Sequence, residues 1–128
     1  MKPFVNALLL ADYVHVDRMS GKCTIVGTFD QVIVKEFPGI HGGAYIYVNL
    51  SDFKGTHEFS FRFLRDSDGQ QIAQSAPIPI QQPDKLKHHE IALNLPPLTF
   101  THAGTYALEI LWDGEWLGAV KVRARKGK

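Results

Sequence analysis

Cys23 is the only cysteine in the 128-residue chain, which excludes an intramolecular disulfide. No apolar run approaches the roughly 18 residues that a transmembrane helix needs, and no segment of helical length keeps a 3.6-residue period. The net charge is only +1, so no global field attracts nucleic acid or an acidic membrane. The chain also has no Gly-x-Ser-x-Gly motif and no glycine-rich phosphate loop. These absences favour a soluble globular protein without a familiar hydrolase or nucleotide-binding motif.

The N-terminal segment FVNALLLA has some of the character of a signal peptide. Its apolar run is only eight residues long, Asn6 interrupts it, and no small-x-small cleavage site follows before Asp12. A buried first strand explains the segment better, and we therefore expect a cytoplasmic protein.

Apolar and polar residues alternate through most of the chain. In the segment GTHEFSFRF (55–63), alternate residues lie on one strand face, namely His57, Phe59, Phe61 and Phe63. YIYVNL (45–50) and HEIALNL (89–95) alternate in the same way, and turn-forming pairs such as Asp113-Gly114 separate these runs. Because each antiparallel sheet must bury its apolar face, the pattern predicts an all-β antiparallel sandwich of eight or nine strands.

The predicted sandwich domain covers residues 1–124, and residues 125–128 are predicted to form a basic C-terminal tail. Five of the 14 basic residues lie between positions 121 and 128, without an acid among them. Because this run is short and begins inside a strand, we interpret it as a solubilising end and expect no nucleic-acid partner.

Matching the apolar faces also predicts the register of the last hairpin. A three-residue loop, 112–114, would pair Ile110 with Trp116 and keep Lys121 on the outer face. A two-residue Asp-Gly turn would instead bring Lys121 onto the apolar face of Tyr106.

The turn Asp-Ser-Asp-Gly at 66–69 is predicted to close an earlier hairpin. A four-residue loop there would pair Phe63 with Ile72, and Pro77 and Pro79 would then lie on an edge strand or a crossover. The turn opens like a calcium loop, but Pro77 stands at the twelfth position, where such a loop needs an acid.

The segment PPLTFTHAGTY (96–106) resembles the corner of immunoglobulin-like domains, in which a tyrosine hydroxyl bonds to nearby backbone. Tyr106 is predicted to make this contact. Since the cysteine pair of antibody domains is absent, we expect a broader immunoglobulin-like or C2-like sandwich.

Two groups of residues are candidates for a site. His15 and Asp17 share a strand face and, with the distant His102 or His41, would give the two-histidine, one-carboxylate set of some metal enzymes. Trp112, Tyr45 and Tyr47 would offer aromatic surface for a sugar ring. The structural alternatives are a polar strand end for the first group and core or interface packing for the second.

The segment ALLLADYVHVDRMSGKCTIVGTFDQV (7–32), followed by Phe37-Pro38, resembles a small family of uncharacterised bacterial proteins, classed as a domain of unknown function. The shared pattern is an apolar strand ending in Asp12, then Gly21-Lys22, Ile25-x-Gly27-x-Phe29-Asp30 and, later, Gly104-x-Tyr106. The resemblance implies a bacterial source and an immunoglobulin-like sandwich, and it assigns no catalytic residue.

These observations predict a non-catalytic interaction module without a cofactor. Its expected partner is protein, including copies of itself, because edge strands of small sandwiches pair readily unless protected. No membrane partner is expected. The alternative is a carbohydrate-binding module that uses Trp112, Tyr45 and Tyr47, and a less favoured one is a small metal-dependent enzyme that uses His15 and Asp17.

Overall fold

The computed structural model describes residues 2–127, which form twelve β-strands and no helix. The strands are β1 (Phe4–Val16), β2 (Cys23–Thr28), β3 (Gln31–Val34), β4 (Gly39–His41), β5 (Tyr45–Ser51), β6 (Gly55–Arg65), β7 (Gln71–Gln74), β8 (Ile78–Gln82), β9 (His89–Asn94), β10 (Leu98–Phe100), β11 (Gly104–Trp112) and β12 (Glu115–Lys126). The predicted number of eight or nine was wrong, because strands of three to five residues such as β4, β8 and β10 are too short to show alternation.

Two main sheets face each other. One has the order β2-β1-β5-β9, and the other has the order β3-β12-β11-β6-β7 with β8 also paired to β6, while β4 and β10 form a separate pair. All pairings are antiparallel except that of β12 with β3. The largest fully buried side chains between the sheets include Tyr106, Phe59, Phe63, Phe100 and Leu10. The predicted all-β sandwich is therefore confirmed.

Tyr106 forms the predicted corner. Its hydroxyl donates to the carbonyl oxygen of His102 at 2.7 Å and accepts from the His102 N–H at 3.0 Å. The ring stacks on Phe63 with centroids 5.4 Å apart and meets Phe100 edge-on at 4.9 Å. This corner is a hallmark of immunoglobulin-like sandwiches, so the fold is of that kind.

The turn between β11 and β12 is shorter than predicted. Only Asp113 and Gly114 form it, with positive φ angles of 51° and 82°, and Trp112 pairs directly with Glu115. Two successive left-handed residues are the requirement of the tight hairpin turn that Asp-Gly favours. The predicted three-residue loop is therefore wrong.

A β-bulge in β12 explains why the predicted faces are nevertheless right from Gly118 onward. Leu117 has no partner, so Ile110 pairs with Gly118 rather than with Trp116. The extra residue reverses the parity of β12, and Lys121 returns to the outer face. Trp116, which the predicted pairing placed on the apolar face, is instead 50% exposed and donates to Glu109 on the outer face. Alternation contained no sign of the bulge.

The β6–β7 hairpin shows a similar shift. Phe63 pairs with Ala73 rather than with Ile72, because the register slips between Phe63 and the next residue. Pro79 lies in β8, which pairs with β6 alone, and Pro77 immediately precedes this strand. The prediction that these prolines lie on an edge strand or a crossover is confirmed.

The β1–β2 hairpin packs on the outer face of the sheet that contains it. β1 pairs with β5 up to Ala11 and with β2 from Ala11 onward. Val14 of this hairpin, with Cys23 and Ile25, packs against Tyr47 of β5 in a second apolar cluster. The front half of β1 therefore belongs to the sheet, and its second half covers part of that sheet.

The C-terminal residues continue the last strand. β12 ends at Lys126, so two residues of the predicted tail (125–128), Arg125 and Lys126, lie in a strand. Position 128 of this predicted tail lies outside the described residues. The N–H of Gly127 donates to the Val34 carbonyl at 2.8 Å. Between residues 2 and 127, no helix is long and apolar enough to cross a membrane.

Candidate binding site

β9 is the last strand of its sheet, and within residues 2–127 it pairs only with β5. The N–H of Leu95 donates to the Ala44 carbonyl at 2.8 Å, in register with this ladder. Since antiparallel ladders bond every second residue, the N–H groups that point to β5 belong to His89, Ile91 and Leu93. Those that point away belong to Glu90, Ala92 and Asn94. We call the outward backbone groups of these three residues the β9 edge.

Other outer strands in the described chain are less suited to pairing. β8 contains Pro79, which has no N–H to donate. β3 and β7, at the two ends of the other sheet, have only four residues each. In β2, Gly27 takes a positive φ of 69°, which interrupts the extended backbone. β9 has six residues and contains no proline, lysine or arginine, the residues that commonly block edges.

A cluster around His57 lies near the start of β9. His57 Nδ1 is 2.7 Å from Asp113 Oδ2, and His57 Nε2 is 2.9 Å from the Lys54 carbonyl oxygen. Both partners are acceptors, so the protonated imidazolium donates to both at once. The bond to Asp113, followed by that to Lys54, raises the pKa of His57. Neither ring nitrogen is free to bind a metal or to act as a base.

Trp112 packs beneath this histidine. Its ring stacks on His57 with centroids 4.8 Å apart and meets Phe53 edge-on at 4.8 Å. The side chain is only 3% exposed, and its Nε1 has no hydrogen-bond partner among the described residues. The prediction that Trp112 offers surface to a sugar is therefore corrected, because the ring belongs to the core.

The two tyrosines of β5 occupy different environments. Tyr47 is buried, and its hydroxyl donates to the Glu90 carboxylate. Burial, with this acidic neighbour, raises the pKa of Tyr47 to about 12. Tyr45 is half-buried and meets the exposed Tyr13 edge-on at 5.2 Å. Tyr47 therefore provides no sugar platform, while Tyr45 retains a partly open ring.

The predicted metal ligands do not form one cluster. His15 pairs with Thr24 inside the β1–β2 hairpin, and the Asp17 carboxylate accepts from the Ser20 N–H and hydroxyl, both at 2.7 Å. His102 Nδ1 lies 2.6 Å from a guanidinium nitrogen of Arg65 at the tyrosine corner. Across residues 2–127, no three histidine, cysteine or acidic side chains are grouped so that they could hold a metal ion.

A small cleft adjoins the beginning of β9. It has a volume of about 260 Å³ and is lined by Asp52, Phe53, Lys54, His57 and Lys85. The ring of Phe53 also lies edge-on to that of His89, the first residue of β9, at 6.0 Å. The cleft and the β9 edge are therefore neighbouring parts of one surface.

A wider groove of about 470 Å³ lies on the outer face of the other sheet. Its lining contains Asp30, Asp66, Lys121 and Arg123, and Lys121 already pairs with Asp66 at 3.2 Å. The charges of this groove balance one another, so it offers less to a charged ligand than the cleft does.

The sequence revealed neither the cleft, in which residues 52–57 meet Lys85, nor the partner of its His57, which comes from a distant segment. The pairing of Trp112 with Phe59 brings the β11–β12 turn beside the start of β6. Asp113 thereby reaches His57, 56 positions away. The only available signal was that His57 begins the apolar face of β6, and this position indicated no specific partner.

The His57–Asp113 pair predicts a pH-dependent stability. His57 has a raised pKa, so its contribution is complete below the unfolded value of about 6.5 and is lost as pH rises through the folded value. Asp113 has a lowered pKa because of His57, so its contribution is lost only as pH falls well below 4. Relative to Asp113→Asn, which suits the same turn, wild-type protein should gain about 0.5–1 kcal/mol near pH 6.

Thermal unfolding of the two proteins between pH 5 and 9 measures this effect. The melting-temperature difference should be about 2–4 °C near pH 6 and should shrink toward pH 9. A difference that stays constant over this range would exclude a charged His57 as its cause.

Comparison with known proteins gives one family and several distant structural similarities, including two to proteins of Pseudomonas species. A model of the Family of unknown function (DUF6941) matches residues 6–125. No curated protein matches the chain. The Pseudomonas fluorescens alkylpurine DNA glycosylase AlkC, in a structure bound to DNA containing an abasic site analog, is similar with a TM-score of 0.47 and 10% identity; the match covers 92% of this chain and 30% of that one. An immunoglobulin-like protein from Pseudomonas aeruginosa is similar with a TM-score of 0.45 and 12% identity, over 98% of both chains.

Proposed function

The chain belongs to the Family of unknown function (DUF6941), and we propose that it is a non-catalytic interaction module that binds protein partners by adding a strand to β9. The observation that carries the proposal is the β9 edge, whose backbone donors and acceptors have no partner strand within residues 2–127. An extended segment of another protein, or of a second copy, would satisfy these groups as β5 does on the other side.

The energetics of such binding are modest. Each backbone hydrogen bond contributes about 0.5–1.5 kcal/mol net, and the three outward residues each offer one donor and one acceptor. Ordering a flexible segment opposes part of this gain. A weak and reversible interaction is therefore expected, unless side chains of the partner add contacts.

Several groups that enzymes often use are unsuited to catalysis here. Both nitrogens of His57 are occupied by acceptors. Burial raises the pKa of Cys23, so its thiol is not activated as a nucleophile. The pKa of Tyr47 is raised to about 12. These environments support a binding role rather than a catalytic one.

We also propose that the protein is bacterial and acts in the cytoplasm. The resemblance of residues 7–32 to a bacterial family supports the source. Cys23 is free, which suits a compartment that keeps thiols reduced.

A proline at an outward position tests the proposed edge. Ala92→Pro removes one outward N–H without removing a bond to β5, whereas Leu93→Pro removes an inward one and is the matched control. The probe is a labelled peptide with the sequence of residues 89–94, His-Glu-Ile-Ala-Leu-Asn. Ala92→Pro should weaken peptide binding about tenfold with a small change in melting temperature, and Leu93→Pro should lower the melting temperature strongly.

Sedimentation equilibrium of the wild-type protein shows whether a second copy occupies the edge. Any dimer should dissociate in Ala92→Pro. Unchanged peptide binding by Ala92→Pro, or a wild-type protein that binds neither the peptide nor itself, would contradict strand addition at β9.

A further inference from the structure

On the basis of the proposed strand addition, we infer that the partner of β9 is an extended segment of another protein with acidic side chains at its C-terminal end. The geometry places the basic side chains of Lys54, Lys85 and Lys87 around the beginning of β9, where that end would lie. This inference rests on the proposed function and adds the chemistry of the partner to it. The experiment below distinguishes a failure of the acidic partner from a failure of strand addition.

The lysines around this end of the sandwich are exposed and free to meet an anion. Within the described part of the chain, none of Lys54, Lys85 and Lys87 forms an ion pair. Lys54 and Lys85 line the cleft, and Lys87 lies two residues before β9. The surface therefore presents three unpaired positive charges close to the β9 edge.

The nearby acidic groups neutralise part of this charge. Asp113 is engaged by His57 and by the Glu58 N–H, at 2.7 and 2.9 Å. Asp84 accepts from the Leu86 N–H at 2.9 Å. Asp84 keeps its negative charge in this bond, as does Asp52, which lines the cleft. Glu90 of β9 binds the Tyr47 hydroxyl on the opposite face, which the β1–β2 hairpin covers. Three lysines against Asp52 and Asp84 leave a net charge of +1 (3 − 2), so an acidic ligand fits better than a neutral or basic one.

The direction of the added strand determines which of its ends meets the lysines. Antiparallel addition continues the pattern of β1, β5 and β9, in which neighbouring strands run in opposite directions. The C-terminal end of an antiparallel partner lies beside His89, the first residue of β9. Phe53 connects this position to the cleft through its edge-on contact with His89 at 6.0 Å.

The size of the cleft agrees with one side chain rather than a whole small molecule. Its volume of about 260 Å³ is below the roughly 300–1,000 Å³ of ordinary ligand pockets. A glutamate at the end of an added strand would place its carboxylate near Lys54 and Lys85, with its methylene groups against Phe53. Most of the segment would remain outside, along the β9 edge.

Two matched peptides test the inference. Each peptide has the sequence of residues 89–94, followed by two added residues and an amidated C-terminus. The two added residues are glutamates in one peptide and glutamines in the other. Binding is followed by NMR, using the indole N–H signals of the chain's two tryptophans and the backbone amides of β9. The glutamate peptide should bind about five- to tenfold more tightly, and the difference should shrink at high salt.

Variants of the protein separate the two proposals. Lys54→Gln combined with Lys85→Gln should remove the preference for the glutamate peptide and leave binding of the glutamine peptide unchanged. Ala92→Pro should weaken both peptides equally. Equal binding of the two peptides to wild-type protein would overturn the acidic partner while leaving strand addition intact.

Other outcomes are also decisive. If the glutamate preference persists in Ala92→Pro at full affinity, the cleft binds acids without strand addition, and the proposed function fails. If neither peptide binds, both proposals fail. If the wild-type protein instead forms a dimer that Ala92→Pro dissociates and that excludes both peptides, the occupant is a second copy and not an acidic segment.

Discussion

Replacement of Trp112 by alanine is expected to lower the free energy of unfolding by about 3–5 kcal/mol. The ring is 3% exposed and packs between His57 and Phe53, so its removal leaves a cavity that the surrounding strands cannot easily fill. Trp112→Phe should be less harmful, because it keeps an aromatic ring and removes an indole N–H that has no partner in the described chain.

Trp116→Ala is the matched control. Trp116 is 50% exposed and contributes mainly a hydrogen bond from Nε1 to Glu109 at 3.1 Å. Its removal should change the free energy of unfolding by about 1 kcal/mol or less. Urea unfolding followed by circular dichroism measures all three variants. An unchanged stability of Trp112→Ala, together with a loss of glycan binding, would restore the surface role that the sequence predicted for this ring.

Gly27→Ala is expected to destabilise the protein by about 2–3 kcal/mol, because two separate effects add. Gly27 has a positive φ of 69°, which any L-residue adopts at a cost of about 1–2 kcal/mol. In addition, a Cβ at this position would overlap Oδ2 of Asp12, so the Asp12 side chain must move. The two residues lie in neighbouring strands of the hairpin that covers the sheet.

Gly21→Ala separates the two effects. Gly21 has a similar φ of 74°, but a Cβ there would meet no atom within 4 Å. It should therefore show only the backbone cost. Adding Asp12→Ala to Gly27→Ala should recover the excess over Gly21→Ala. Equal costs for the two glycine substitutions, with no recovery in the double variant, would show that the close approach of Asp12 and Gly27 is unimportant.

The close approach also explains part of the pattern that marks the family resemblance. Asp12 and Gly27 are both elements of that pattern, and the structure places them side by side in adjacent strands. Their spacing in the sequence gave no indication of contact, because the strand pairing that joins them depends on the turn at residues 17–22. The contact between these two residues of the pattern becomes apparent only from the register of β1 and β2.

Faces could be predicted from the sequence, but registers could not. Alternation placed Phe59 and Phe63 in the core and Lys121 outside, and all three positions are confirmed. The pairing of Ile110 was wrong by two residues, because the bulge at Leu117 shifts the ladder while it preserves the faces of the residues that follow it. The alternation of apolar and polar residues depends only on whether a position is odd or even. The shorter turn and the bulge each shift the pairing by one residue, so together they leave the alternation unchanged beyond the bulge.

The candidate site depended on information that alternation does not contain. The β9 segment was recognised as a strand, but its position at the end of a sheet follows from strand order. Trp112 was assigned to a turn because the loop was predicted one residue too long, and the two-residue turn instead places it in β11 and in the core. The cleft required two separate segments, residues 52–57 and the loop that contains Lys85, to meet.

Amide exchange of β9 tests the proposed edge most directly. In the free protein, the N–H groups of Glu90, Ala92 and Asn94 should exchange rapidly, whereas those of Ile91 and Leu93 should be protected by their bonds to β5. Saturation with the peptide that ends in two glutamates should slow exchange at the three outward positions and leave the inward ones unchanged. Uniform protection along β9 in the free protein, or outward amides that remain fast when the peptide is bound, would contradict strand addition at this edge.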